Sequence, residues 1–145
     1  MVSTVLFASV RNAGRTQMAT AWLNALAHPG KVRAISAGTS PADAVNPNVI
    51  AAMKEAGIDI SSSVPRLLTA ALEHSADMLI VVAPPLPDPP VHGGGERDEW
   101  LVNDPEGAPL DAVRQIRDDI ERMVRRLLVA NHWMPFGAST PPSTV

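Results

Sequence analysis

Val5-Leu6-Phe7-Ala8-Ser9-Val10-Arg11-Asn12-Ala13-Gly14-Arg15-Thr16 runs from an apolar stretch through a short loop into the start of a helix. Residues 4–8 read as a buried strand, because a continuous apolar run of this length is what a parallel sheet uses. From Thr16 onward Met18, Ala19, Trp22, Leu23 and Leu26 recur at helical spacing, and Pro29-Gly30 stops the helix. A strand, a glycine-bearing loop and a helix N-terminus aim backbone N–H groups at one point, with the positive end of the helix dipole behind them. Arg15 adds a planar fork of donors suited to a tetrahedral oxyanion. The pattern predicts an anion site over residues 10–15. Position 9 is serine, and the chain contains no cysteine.

The alternation continues outward from this segment. Residues 32–36 read as a second strand. Asn46 caps a helix with Pro47 in its first turn, running through Ala56 and ended by Gly57. Thr69 caps a short helix to Ser75, residues 78–82 form a third buried strand, and residues 99–102 a short fourth. From Pro109 or Leu110, the positions Val113, Ile116, Ile120, Met123, Val124, Leu127 and Leu128 mark a long amphipathic helix. Strands and helices in this order predict an α/β fold with a parallel sheet and right-handed crossovers. Ligands in such sheets sit beyond the carboxyl ends of the strands, where the 9–16 loop lies. The run 83–90 holds five prolines and cannot be helix or inner strand. A rigid spacer and a polyproline segment that docks a partner both fit it. Residues 134–145 read as a tail beyond a domain of residues 1–133.

At 145 residues, 46% of them hydrophobic and 19% charged, the chain is a single globular domain able to bury one core. A net charge of −3 with no basic stripe argues against nucleic acid as a partner. Arg122, Arg125 and Arg126 fall late in a helix, where cations suit the dipole and face solvent. The first apolar run is short and lacks a charged leader, and no run could span a bilayer, so no membrane is expected and the cytoplasm is. Without cysteine the chain has no disulfide, thiolate metal site or thiol redox chemistry of its own, and neither metal nor cofactor is expected. His28, His74, His92 and His132 are scattered, with none set in the loop as a base. Trp22, Trp100 and Trp133 read as packing residues, and Glu73 and Asp77 as solvent-facing.

Residues 5–19 resemble the start of arsenate reductases built on the low-molecular-weight protein tyrosine phosphatase fold. Those proteins place a cysteine where Ser9 stands, and an arginine and a hydroxyl residue where Arg15 and Thr16 stand. Further matches are Ile35-Ser36-Ala37-Gly38-Thr39, Val45-Asn46-Pro47, residues 52–60, Trp100 with Asp104-Pro105, and residues 113–120. The resemblance implies a three-layer α/β/α fold with a four-stranded parallel sheet. It assigns Ser9 to the nucleophile position, Arg15 to the oxyanion clamp and Thr16 to the hydroxyl that stabilises a thiolate. Asn12 falls on the asparagine that braces the loop, and Asp104 on the general acid that protonates a leaving oxygen. Departures are Ser9 itself, Arg11 where relatives often have histidine, and Asn103 where many have a second aspartate. The run 83–90 also replaces the loop in which thioredoxin-coupled relatives keep further cysteines.

A thiol starts from a pKa of about 8.5, which a helix N-terminus and cations can bring down to physiological pH. A serine hydroxyl starts several units higher and stays protonated without a general base. Arsenate reduction further needs sulfur to surrender electrons through a disulfide. The expected function is therefore binding of phosphate, arsenate or sulfate by Val10, Arg11, Asn12, Ala13, Gly14, Arg15 and Thr16, with catalysis impaired. Two origins of Ser9 stay open, a natural serine and the replacement of a native cysteine. In the second case the protein is a single-cysteine arsenate reductase, or a tyrosine phosphatase, and the reductase draws on an external thiol such as mycothiol or a glutaredoxin-type donor. With no tyrosine and two phenylalanines, the chain offers little grip for a phosphotyrosine ring, which favours a small inorganic anion. A non-catalytic scaffold acting through residues 83–90 and the tail is the alternative of another class.

Overall fold

Alternate side chains of β1 (Ser3–Ser9) face opposite layers: Val5 and Phe7 join one core, Leu6 and Ala8 another, and all four are sealed from solvent. A strand buried on both faces belongs inside its sheet. The computed structural model, which describes residues 1–83 and 96–135, places it there. β1 pairs in parallel with β2 (Val32–Gly38) on one side and with β3 (Met78–Val82) on the other. β4 (Glu96–Trp100) pairs with β3, so the order is β2-β1-β3-β4, parallel throughout. The chain leaves β1 toward one side and returns on the other, so the crevice that binds ligands in such sheets opens at the carboxyl end of β1.

Three helices close the larger core: α1 (Arg15–Leu26), α2 (Pro47–Glu55) and, beyond the short α3 (Ala70–Ser75), α4 (Leu110–Ala130). Met18, Trp22 and Leu23 of α1, Val49 and Met53 of α2, and Val113, Ile116, Ile120, Val124 and Leu128 of α4 meet Val5, Phe7, Ile80 and Val82. Each fully buried aliphatic side chain contributes about 1.5–3 kcal/mol. Leu72 of α3 and Leu68 cover the opposite face over Leu6, Ala8, Leu79 and Val81. The three-layer α/β/α fold follows from these two unequal cores.

The helix starts match their sequence signals. Asn46 Oδ1 accepts the Asn48 N–H at 2.9 Å with Pro47 in the first turn, and Thr69 Oγ1 accepts the Leu72 N–H at 3.2 Å. Gly57 takes φ +87° just past α2, a conformation that glycine adopts without strain. Trp22 and Trp100 are buried, and Trp133 packs partly buried against the larger core. Arg122 pairs with Asp119 and Arg125 with Glu121 along α4.

Two expectations require correction. The fourth strand is Glu96–Trp100 rather than residues 99–102. Its first four residues are charged and exposed, a pattern that protects a sheet edge from further pairing, and only Trp100 turns inward, 5.3 Å from Phe7 between ring centroids. Glu73, expected in solvent, is 3% exposed, because α3 lies on the sheet and is too short for an apolar period to mark its inner side. Asp77 is exposed but accepts the Thr4 N–H at 2.8 Å. The proline run, beyond Ala83, and the tail, beyond residue 135, lie outside the described residues. Among the described residues no helix is long and apolar enough to cross a membrane, and no cluster of His, Asp and Glu could hold a metal ion.

Candidate functional site

Every carbonyl from Ser9 to Gly14 is occupied away from the loop's centre. Those of Ser9, Val10, Arg11 and Ala13 accept the N–H groups of Thr39, Ser40, Ala42 and Asn46 at 2.8–3.0 Å. The Asn12 carbonyl accepts Gln17 Nε2 at 3.0 Å, and that of Gly14 accepts the Met18 N–H at 3.0 Å. Main-chain acceptors are thus withdrawn on all sides, and among the described residues the N–H groups of Arg11, Ala13 and Gly14 have no partner. Backbone amides freed in this way at a helix N-terminus form an anion cradle.

Asn12 holds the loop in shape. It is fully buried and takes φ +52°, a left-handed conformation that asparagine tolerates better than most residues. Its Nδ2 donates to Thr16 Oγ1 at 2.9 Å, while Oδ1 accepts the Arg66 N–H at 2.9 Å and Gln17 Nε2 at 3.2 Å. The Arg66 carbonyl in turn accepts the Gly38 N–H at 2.8 Å, which ties the loop to the end of β2. Gly38 is required at that junction: a Cβ there would lie 2.5 Å from the Val10 carbonyl oxygen.

Ser9, 7% exposed, sits on the floor. Its Oγ accepts the Asn12 N–H at 3.1 Å and stands 3.4 Å from Thr16 Oγ1, a contact across which either hydroxyl can donate. These are donors that would stabilise a thiolate at the same position. On a neutral hydroxyl the Asn12 N–H occupies one lone pair, and when Thr16 donates as well the Ser9 proton is left for a ligand above.

Arg15 closes the cradle. Its Nη1 donates to the Val102 carbonyl at 2.9 Å, and its Nη2 lies 3.8 Å from Asp104 Oδ2, so the fork is anchored on the 102–104 segment. Gly14 lets that segment approach: a Cβ on it would fall 2.6 Å from Pro105 Cγ. Asn46 Nδ2 donates to the Pro105 carbonyl at 3.4 Å, Asn48 Nδ2 to that of Ala108 at 3.1 Å, and the Glu106 N–H to Asp104 Oδ1 at 2.9 Å. The result is a cleft of about 510 Å³ with the loop as floor, Ala42, Ala44, Asn46 and Pro47 as one wall, and Asp104, Pro105 and Glu106 on the rim.

All the residues singled out in sequence except Thr16 line this cleft: Ser9, Val10, Arg11, Asn12, Ala13, Gly14, Arg15 and Asp104. Thr16 lies beneath it, fully buried. Among the described residues no histidine lines the cleft, so none of His28, His74 and His132 stands ready to deprotonate Ser9, and His92 lies outside the described residues. Gln17, the Arg66 main chain and the Val102 carbonyl were not anticipated. Gln17 carried a weak signal, a polar residue beside the apolar helical positions Met18 and Ala19.

The family described as low molecular weight phosphotyrosine protein phosphatase matches residues 4–84. A Halobacterium salinarum protein provisionally named an arsenate reductase is 34% identical over 122 residues, covering 81% of this chain and 85% of its own. The crystal structure of the arsenate reductase of Archaeoglobus fulgidus superposes with a TM-score of 0.72 at 26% identity, over 86% of this chain and 98% of that one. Another solved structure, an arsenate reductase in the phosphate-binding state, gives 0.74 at 28% identity over 89% and 98%.

Proposed function

The chain belongs to the low molecular weight phosphotyrosine protein phosphatase family, and from that membership we propose that it binds tetrahedral oxyanions, phosphate and arsenate, and does not reduce arsenate as its sequence stands. The outward turn of every carbonyl from Ser9 to Gly14 is the observation that carries this proposal. It leaves the amides of Arg11, Ala13 and Gly14, the Ser9 hydroxyl and the Arg15 guanidinium as donors around one cleft. A phosphate bound in a similar structure supports it.

Reduction of arsenate to arsenite consumes two electrons, which thiols supply as they couple into a disulfide. Serine has no such couple, and its hydroxyl is a poor nucleophile without a base. Binding by amides and guanidinium needs no sulfur. Calorimetric titration with phosphate and arsenate tests the binding step. Saturable binding that Arg15→Ala weakens by about a hundredfold, the loss of a charge-assisted contact, supports the proposal; equal affinity in both proteins rejects it.

The donors gathered on Ser9 Oγ favour a second reading, in which the native residue is cysteine. They are as suited to a thiolate as to a hydroxyl. The protein then works as a single-cysteine arsenate reductase with an external thiol, mycothiol or a glutaredoxin-type donor, supplying the second sulfur. Ser9→Cys, assayed for arsenite release with each reductant, decides between them: turnover supports this second reading, and none leaves binding alone.

A further inference from the structure

Building on the oxyanion-binding proposal, we propose that Asp104, acting over the neutral Ser9 floor, makes the cleft selective for tetrahedral anions that carry a proton, so that phosphate and arsenate bind more tightly than sulfate. The floor alone cannot tell these anions apart. Its amides, the Ser9 hydroxyl and the Arg15 fork are all donors, and an oxygen of any of the three anions satisfies them.

Asp104 breaks that equivalence. Its Oδ1 is held by the Glu106 N–H at 2.9 Å, and the next residue, Pro105, is buried against Gly14. The carboxylate therefore keeps its orientation, with Oδ2 3.8 Å from Arg15 Nη2. An anion gripped by the same guanidinium brings one of its oxygens beside Oδ2. Two oxygens without a proton between them repel there, whereas a shared proton makes a charge-assisted hydrogen bond. Phosphate groups exchange a proton near neutral pH, at about pH 6 for a phosphomonoester, and arsenate resembles phosphate in this respect. Sulfate has no proton to offer at that pH.

Among the described residues the remaining charged groups of the cleft are Arg11 and Arg15 on the floor and Glu106 on the rim. Arg11 and Arg15 attract all three anions. Glu106 is exposed, and no hydrogen bond orients its carboxylate among the described residues. A thiolate at position 9 would add a second negative charge beneath the ligand; with serine there, selection falls to Asp104. Because the Asp104 side chain is 55% exposed, water softens the penalty. The expected discrimination is about tenfold rather than the several orders of magnitude reached by enclosed sites.

Calorimetry near neutral pH on the full chain with inorganic phosphate, arsenate and sulfate tests this. Wild type is expected to bind phosphate and arsenate about tenfold more tightly than sulfate. In Asp104→Asn the amide oxygen can keep the Glu106 N–H while its NH2 turns to the anion, so sulfate binding strengthens and the ratio falls toward unity. Glu106→Gln leaves the ratio as in wild type. Sulfate bound as tightly as phosphate by wild type, a ratio untouched in Asp104→Asn, or an equal collapse in Glu106→Gln each overturns the assignment while leaving oxyanion binding intact. No binding of any of the three anions removes the underlying proposal, and the selectivity with it.

Discussion

Replacing Asn12 separates the two things that residue does, holding a strained main chain and satisfying three neighbours. Asn12→Ala removes the bonds to Thr16 Oγ1, Gln17 Nε2 and the Arg66 N–H. Since Asn12 is fully buried, no water takes their place, and each loss costs about 1 kcal/mol. Alanine at φ +52° costs about 1 kcal/mol more. The expected destabilisation is about 4 kcal/mol, a large share of the 5–15 kcal/mol typical of a domain. Asn12→Gly loses the same hydrogen bonds but takes the left-handed conformation freely, so it should be about 1 kcal/mol more stable than the alanine variant. Asn12→Asp keeps acceptors for Gln17 and Arg66 but loses the donor to Thr16 and puts a negative charge beneath the cradle. It should unfold closer to wild type and still bind no phosphate. Urea midpoints followed by tryptophan fluorescence give the stabilities, and the rise in midpoint with added phosphate reports binding by linkage. Asn12→Ala within 1 kcal/mol of wild type, or no gap between the alanine and glycine variants, would refute the account of the loop.

Gly14→Ala should lower phosphate affinity by about tenfold with a smaller loss of stability, since its Cβ meets the Pro105 ring at 2.6 Å and forces the rim away from Arg15; calorimetry and urea midpoints read the two effects. Trp100→Ala should cost about 3 kcal/mol by emptying the only inward position of β4 against Phe7, and a chemical-denaturation midpoint followed by circular dichroism checks it. Glu55 accepts hydrogen bonds from Arg114, which holds its carboxyl below the usual carboxylate range. A lowered folded-state value stabilises above the unfolded-state pKa of about 4.3 and is lost as pH falls through the folded value. The stability gap between wild type and Glu55→Gln should therefore close as pH drops from about 6 to about 3; a constant gap in thermal melts across that range would contradict it.

The chain order of its signals was enough to determine the parallel α/β architecture and the position of the anion loop. Buried parallel strands need unbroken apolar runs, as in residues 5–8 and 78–82, and Asn46-Pro47 and Thr69 are local helix-start chemistry that acts within a few residues. Tertiary structure alone decided the rest, because those features depend on what a distant segment brings alongside. β4 is a strand through main-chain pairing with β3, and its charged residues give no hint of it. Gln17 is buried because packing sets the rotation of α1, which turns one polar side chain inward onto Asn12. The carbonyls of the loop turn outward only once residues 39–46 are laid against them, and Asp104 reaches Arg15 only because Gly14 admits Pro105. Local sequence can nominate donors for an anion, but withdrawing the competing acceptors takes hydrogen bonds from segments far along the chain.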